Sequence, residues 1–397
     1  MDLIYLLLSF VVVIALIRLR VNVGVSIFTG SVILGLLFGM RPYGLVDALY
    51  TSSTSWGTIR LILIIVFIMA LTSVFSQIGY LKDMETAIKE LFPKAKYSLA
   101  MLPALIGLMP MPAGALVSAP MIEQVANRLN LEPEEETLVN YWFRHVWEHS
   151  WPMYQAIIIA SALTGVSVRD FSLKMLPLTL IMITIGYLLL IRPIKDPEEI
   201  KGDRRKGAVL LIKTTYPILI IILISVVLGY DMVYGALIGF LAAFIPHYRR
   251  VSKKEIIKHA LQPKILFLLI AVMYFKYLLQ VTNAVETLPR TILELNLPVV
   301  LVIVLTPFVV GIMTGISFAY VGMAFPLLLP FFTGFDKIAL AYLSGYMGML
   351  FSPVHLCLVF SAEYYKAELG NVYRKMLVPA FLLFAAGVLY IYTILRF

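Results

Sequence analysis

The sequence predicts an all-α polytopic membrane protein built as an inverted repeat, each half holding five spans, one re-entrant hairpin and a proline-broken helix. Three observations predict it. Of 397 residues, 61% are hydrophobic and only 14% charged, against roughly 25% charged in a soluble domain. Two uncharged runs, 97–122 and 295–335, are dense in glycine and proline. Segments of the first half recur about 200 residues later.

This composition excludes a conventional soluble enzyme, because a mean hydropathy of +0.92 leaves little chain for a soluble domain. The net charge of +9 follows from basic loops between apolar runs and reads as bilayer orientation, with no nucleic acid partner. Cys357 is the only cysteine, so neither an intramolecular disulfide nor a multi-cysteine metal cluster is available.

A hydrocarbon core of about 30 Å needs about 20 helical residues. Spans are predicted at 3–17, 22–39, 60–80, 138–165 and 174–191, then at 209–229, 231–246, 264–282, 338–361 and 375–395. Asp2 precedes the first run and Arg18 and Arg20 follow it, the reverse of a cleavable signal, so it reads as a retained span with an outside N-terminus. Pro103, Gly107, Pro110, Pro112 and Gly114 interrupt one unusual run, and Pro307, Gly311, Gly315, Gly322 and Pro326 the other. Backbone groups released by such breaks survive at membrane depth only inside protein or beside a wet cavity. Re-entrant hairpins are therefore predicted at 98–122 and 299–332. With these hairpins, the inside loops hold 22 of the 32 Lys and Arg and the outside segments 7, whereas twelve plain spans give at best 17 against 12. The positive-inside rule favours the hairpins and puts both termini outside a cell (plasma) membrane.

The repeat is visible in residues. Gln77 of 76–93 pairs with Gln280 of 279–298, Pro152 with Pro353, Ser161-Ala162 with Ser361-Ala362, and Lys174-Met175-Leu176 with Lys375-Met376-Leu377. Five spans per half is odd, so the second copy enters from the opposite face. The halves run 1–195 and 207–397, joined by a charged cytoplasmic linker, 196–206.

Inverted repeats with broken elements place a substrate near the midplane, where half-helix N-termini face anions. The small and hydroxyl residues Gly114, Ser118, Thr314, Gly315 and Ser317 near the hairpin tips suit that role, although small-residue helix packing explains them as well. The most informative stretch is NYWFRHVWEHSWP, 140–152. Its Arg144, His145, Glu148 and His149 are intramembrane ionisable groups, and on a continuous helix the last three share one face. A proton relay, a cation site and a substrate clamp are all open. So is mutual neutralisation of Arg144 and Glu148, with Trp142, Trp147 and Trp151 as an interfacial belt. The same residues match His-x-x-Glu-His, a zinc-protease signature, but no third ligand stands nearby in sequence. The second broken helix carries Ser352, Pro353 and His355 without a carboxylate, and Lys276 lies mid-span. Because positive groups outnumber Glu148, a small anionic substrate is expected, bound by Arg144, Lys276, Ser352 and the hairpin residues. The coupling ion, a proton or sodium, is assigned to His145, Glu148 and His149; no other cofactor and no resident metal is expected.

The hairpin texture, MPMPAGALVSAPMIE and GIMTGISFAYVGMAFPLLLP, resembles the ion transporter superfamily, and most closely an uncharacterised prokaryotic family of integral membrane proteins similar to gluconate permeases. That resemblance covers nearly the whole chain. It implies a homodimer, a scaffold part, and a moving part containing 98–165 and 299–361 that works by an elevator. Neither hairpin tip carries the Ser-Asn-Thr of the sodium-dicarboxylate branch. The expectation is a secondary active transporter of a carboxylate or sugar acid, not an enzyme, with a cation/proton antiporter as the alternative and an intramembrane zinc protease or a channel more distant.

Overall fold

The computed structural model describes residues 2–92, 94–109, 114–196, 202–284, 294 and 297–395. Helices account for nearly all of it, and no β-strand occurs among the described residues. The first half runs α1 (Asp2–Arg18), α2 (Val23–Leu37), α3 (Pro42–Thr54), α4 (Trp56–Ile78), α5 (Tyr80–Leu91), α6 (Ala95–Gly107), α7 (Ala115–Arg128), α8 (Pro133–Arg144), α9 (Gln155–Thr164) and α10 (Val168–Gly186). The second runs α11 (Arg204–Ile222), α12 (Met232–His247), α13 (Lys253–Ala260), α14 (Pro263–Val281), α15 (Val299–Thr314), α16 (Ser317–Leu328), α17 (Phe335–Leu350), α18 (Leu356–Tyr365) and α19 (Leu369–Tyr390).

Among the described residues, five helical stretches are long and apolar enough to cross a membrane: Trp56–Ile78, Val168–Ile191, Arg204–Val227, Lys253–Val281 and Leu369–Leu395. The other predicted spans are shorter, at 17, 15 and 16 residues for α1, α2 and α12, or are divided, as α8/α9 and α17/α18 are. Helix boundaries follow local chemistry. Asn22 accepts from the Gly24 amide to start α2, Ser167 accepts from the Asp170 amide to start α10, and Glu132 and Glu135 form a capping box on α8. These caps start α8 and α10 several residues before the predicted spans.

Three helices, α3, α5 and the Ser252-capped α13, occupy segments expected to be loops. Pro42 at the first helical position opens α3. In α5, Tyr80, Met84, Ala87 and Ile88 form a buried stripe at helical spacing, which the surrounding charge masked in the sequence. That stripe packs on α11. Glu90, on α5, accepts from the Asp203 amide at 2.7 Å and from Lys206 at 3.3 Å, and Asp196 accepts from the Lys96 amide, so the linker is tied to the first half at both its ends.

The packing forms two groups. In one, α2 packs on α1 and α14, α4 on α12 and α13, and α11 on α5 and α12. In the other, α6 packs on α7 and α8, α15 on α16 and α17, and α10 on α19. Within this second group the halves interlock: α9 packs on α16, and α18 packs on α7 and α8. The segments predicted as hairpins hold the helix pairs α6/α7 and α15/α16, and those predicted as broken helices hold α8/α9 and α17/α18. Residues 110–113 of the first hairpin's predicted tip, 110–120, and most of the repeated segment between 285 and 296 lie outside the described residues.

Candidate functional site

A helix that stops inside a membrane leaves its last carbonyls without amide partners, and neither water nor lipid is there to bind them. In this chain side chains supply the missing donors. At the end of α6, the Leu108 and Met109 amides donate to Leu105 and Ile106. Trp147 Nε1 donates to the Ala104 carbonyl at 2.9 Å, Tyr154 Oη to Gly107 at 2.8 Å, and Trp151 Nε1 to Leu108 at 3.0 Å. Trp147 and Trp151 therefore cap the end of α6, and Trp142, fully buried, donates to the Met182 carbonyl of α10.

The break between α8 and α9 is a short 3₁₀ turn, Val146–His149, followed by irregular chain around Pro152. The helical face expected to unite His145, Glu148 and His149 therefore does not persist. Tyr342 Oη of α17 donates to the Glu148 carbonyl at 2.7 Å and Tyr346 Oη to the His145 carbonyl at 3.3 Å. At the other break, Tyr141 Oη of α8 donates to Leu350 and Ser352 Oγ to Ile312 at 2.7 Å. Each broken helix thus satisfies the carbonyls of the other, which brings the two breaks together.

Between them lie Arg144, His145, Glu148 and His149, all at most 5% exposed. Arg144 Nη1 donates to Tyr154 Oη at 3.2 Å, and its guanidinium lies against Gly114, where an added Cβ would sit 2.6 Å from Nε. Gly114 is thus needed for close approach. Glu148 Oε1 is 3.8 Å from His145 Nε2, and the Ser317 hydroxyl stands beside the Glu148 carboxylate. His145 Nε2 meets His355 Nε2 at 3.0 Å, and Cys357 joins these two rings. His149 turns away and packs on the Tyr346 ring, centroids 4.1 Å apart. Gly315 adopts φ +63 at the α15/α16 turn, 2.8 Å separating its would-be Cβ from the His355 amide nitrogen.

The predicted site residues accordingly divide. Arg144, His145, Glu148, Gly114, Gly315 and Ser317 converge. Ser352 holds the second hairpin through Ile312. Thr314 donates to Val310 of its own helix at 2.8 Å. Ser118 donates to Asn140, which donates to Ser361 at 2.9 Å, a buried tie between α7, α8 and α18. Lys276 does not reach Glu148: Nζ donates to the Ala162 carbonyl in the last turn of α9 at 3.0 Å, joining the two packing groups. The His-x-x-Glu-His histidines do not form a ligand set together. Sequence reasoning named His355 without giving it a role and did not count Cys357 or Tyr154 as site residues; the alternating His355-Leu356-Cys357 beside the Pro353 break was the available signal. Larger cavities, of about 540 Å³ near Lys195 and Lys375 and about 380 Å³ near Arg60 and Asp231, are not lined by this cluster.

The solved structure of the Alcanivorax borkumensis YdaH transporter, described as having an unusual topology, is similar to this chain at a TM-score of 0.61 and 14% identity, covering 89% of each chain. At that identity the likeness is one of fold. Among curated proteins none matches the sequence. The family described as a protein of unknown function (DUF401) matches residues 2–394, and the chain belongs to it.

Proposed function

We propose that this protein is a secondary active transporter of a small organic anion, a carboxylate or sugar acid, driven by a proton or sodium gradient. The observation that carries the proposal is the buried Arg144–Glu148 cluster where two interrupted helices meet. Charged groups at membrane depth are costly and are retained for ion or substrate handling, and a plain structural bundle has no use for paired breaks. A fold shared with the YdaH transporter supports the same conclusion.

In this proposal Arg144 attracts the anion, and the α16 N-terminus with Gly315 and Ser317 receives its carboxylate, as amides and helix dipoles favour negative charge. Glu148 and His149 carry the coupling proton. The halves form an inverted repeat in which α1–α4 correspond to α11–α14 and α6–α10 to α15–α19, the five spans predicted per half being an odd number. The hairpins and broken helices move as one unit against α1–α4 and α11–α14 in an elevator, in the cell membrane and as a homodimer. Because the side chains of the cluster are buried, substrate entry requires that motion.

The test is uptake into proteoliposomes from a panel of carboxylates and sugar acids, with proton and sodium gradients imposed separately. Accumulation of at least one acid under one gradient, abolished by Arg144→Gln, is expected. Proton movement driven by sodium alone, with no acid accumulated, would replace this function with cation/proton antiport.

A further inference from the structure

The two imidazoles at the helix breaks pose a donor problem. His145 Nδ1 lies 2.6 Å from the Tyr141 carbonyl oxygen, and His355 Nδ1 lies 2.5 Å from that of Gly315. A carbonyl only accepts, so each Nδ1 carries the ring hydrogen, and a neutral ring then presents a bare lone pair at Nε2. Those two lone pairs face each other at 3.0 Å. Two acceptors at hydrogen-bond distance repel unless an electron-poor centre lies between them.

A shared proton or a metal ion would serve, and three features favour the metal. Cys357 Sγ, a hydrogen-bond partner of His145, completes a set in which the three ligand atoms all lie within 4.8 Å of one another, all buried; a proton shared between the two rings leaves the sulfur's approach to both of them unused. Metal-bound histidines characteristically donate their other nitrogen to a backbone carbonyl, which fixes tautomer and ring orientation, and both rings do so here. Two nitrogens held about 2.0–2.1 Å from one ion at a tetrahedral angle stand about 3.3 Å apart, close to the observed separation.

We propose that His145 Nε2, His355 Nε2 and Cys357 Sγ form a binding site for one borderline-soft transition-metal ion of the Zn²⁺ class, its fourth position open toward Glu148. Two imidazoles and a thiolate suit zinc, and three protein ligands with one open position are a recognised coordination. Loading releases one proton to solvent, from the Cys357 thiol, as the sulfur–metal bond forms. A divalent ion, the thiolate and the Glu148 carboxylate sum to zero charge. The ion would pin the end of α8 to the start of α18 and, through His355 Nδ1, to the Gly315 turn. This site is distinct from the His-x-x-Glu-His pattern, whose second histidine takes no part, and it stands whether or not the protein transports an anion.

The experiment uses the full-length chain purified in detergent, stripped with a chelator and titrated with Co²⁺ and Zn²⁺. One equivalent of Co²⁺ should bind with tetrahedral visible bands and a thiolate-to-cobalt charge-transfer band. Cys357→Ser should lose that band and bind Zn²⁺ at least about tenfold more weakly. Zn²⁺ should raise the melting temperature of the unaltered chain and of His247→Ala, but not of His355→Gln. Because Cys357 is the only thiol, Zn²⁺ should also slow its modification by a small thiosulfonate in the unaltered chain, a readout that needs no variant to fold. Absence of the charge-transfer band, Zn²⁺ binding of unchanged affinity in Cys357→Ser, or modification at the same rate with and without Zn²⁺ would each overturn the site in favour of a shared proton.

Discussion

Replacing Gly315 with alanine tests the architecture at its tightest point. Its φ of +63 is strained for any residue with a Cβ, a penalty of about 1–2 kcal/mol. The added carbon would also stand 2.8 Å from the His355 amide nitrogen, 2.9 Å from its Cα and 2.9 Å from Ser352 Oγ. Two of these neighbours are backbone, so no rotamer relieves the overlap, and overpacking adds about 1–3 kcal/mol. Gly165, which ends α9 at φ +77 with nothing within 4 Å of its would-be Cβ, carries the first penalty alone. Gly165→Ala should therefore lose about 1–2 kcal/mol, and Gly315→Ala about 2–5 kcal/mol. Reversible unfolding of purified protein in mixed micelles, followed by tryptophan fluorescence, measures both. Because the displaced backbone carries His355, Gly315→Ala should also impair uptake. Equal destabilisation of the two variants would refute the packing of the α15/α16 turn on the second helix break.

Gly114→Ala meets the flexible end of Arg144 rather than backbone, so it should keep most of its thermal stability while losing anion uptake in proteoliposomes; normal uptake would count against Arg144 as the anion-attracting group. Trp151→Phe leaves the Leu108 carbonyl without its donor and should cost about 1–3 kcal/mol in the same unfolding assay, with no loss pointing to a substitute partner. Glu148→Gln should remove the dependence of uptake on an imposed proton gradient; unchanged gradient dependence would end its coupling role. Glu90 is held below the usual carboxylate range, first by the Asp203 amide and then by Lys206. A lowered folded pKa stabilises the folded state above the ordinary carboxylate value of 4.5, and that contribution is lost as pH falls through the folded value. Glu90→Gln should accordingly flatten part of the fall in melting temperature on acidification, and an unaltered slope would dissociate Glu90 from the linker.

Much of the helical framework was legible because hydropathy and glycine–proline density are one-dimensional signals. Within 299–332 lie α15, α16 and the adjoining turn, with Gly315 marking the bend between the two helices. Helix starts were missed where a cap decided them, as at Glu132 and Ser167. The α5 helix was missed because its buried stripe is only four residues wide among charges. Of the site, intramembrane Arg144, His145 and Glu148 stood out by cost alone. His149 was grouped with them on the assumption of a continuous helix, and the 3₁₀ turn separates it from His145. Lys276 was matched to Glu148 by charge, yet its reach ends on a carbonyl of α9.

The amino-acid order by itself determined that the chain is helical and apolar throughout, where its helices break, and which costly side chains sit near a break, because these follow from solvation and backbone chemistry along the chain. Only the tertiary structure decided what meets at the breaks. His145 and His355 are 210 residues apart in sequence, and Trp147, Trp151, Tyr342 and Tyr346 look like ordinary apolar filler until the carbonyls they cap are known. Unsatisfied backbone groups have no sequence signature of their own, and the side chains that satisfy them are chosen by proximity in space.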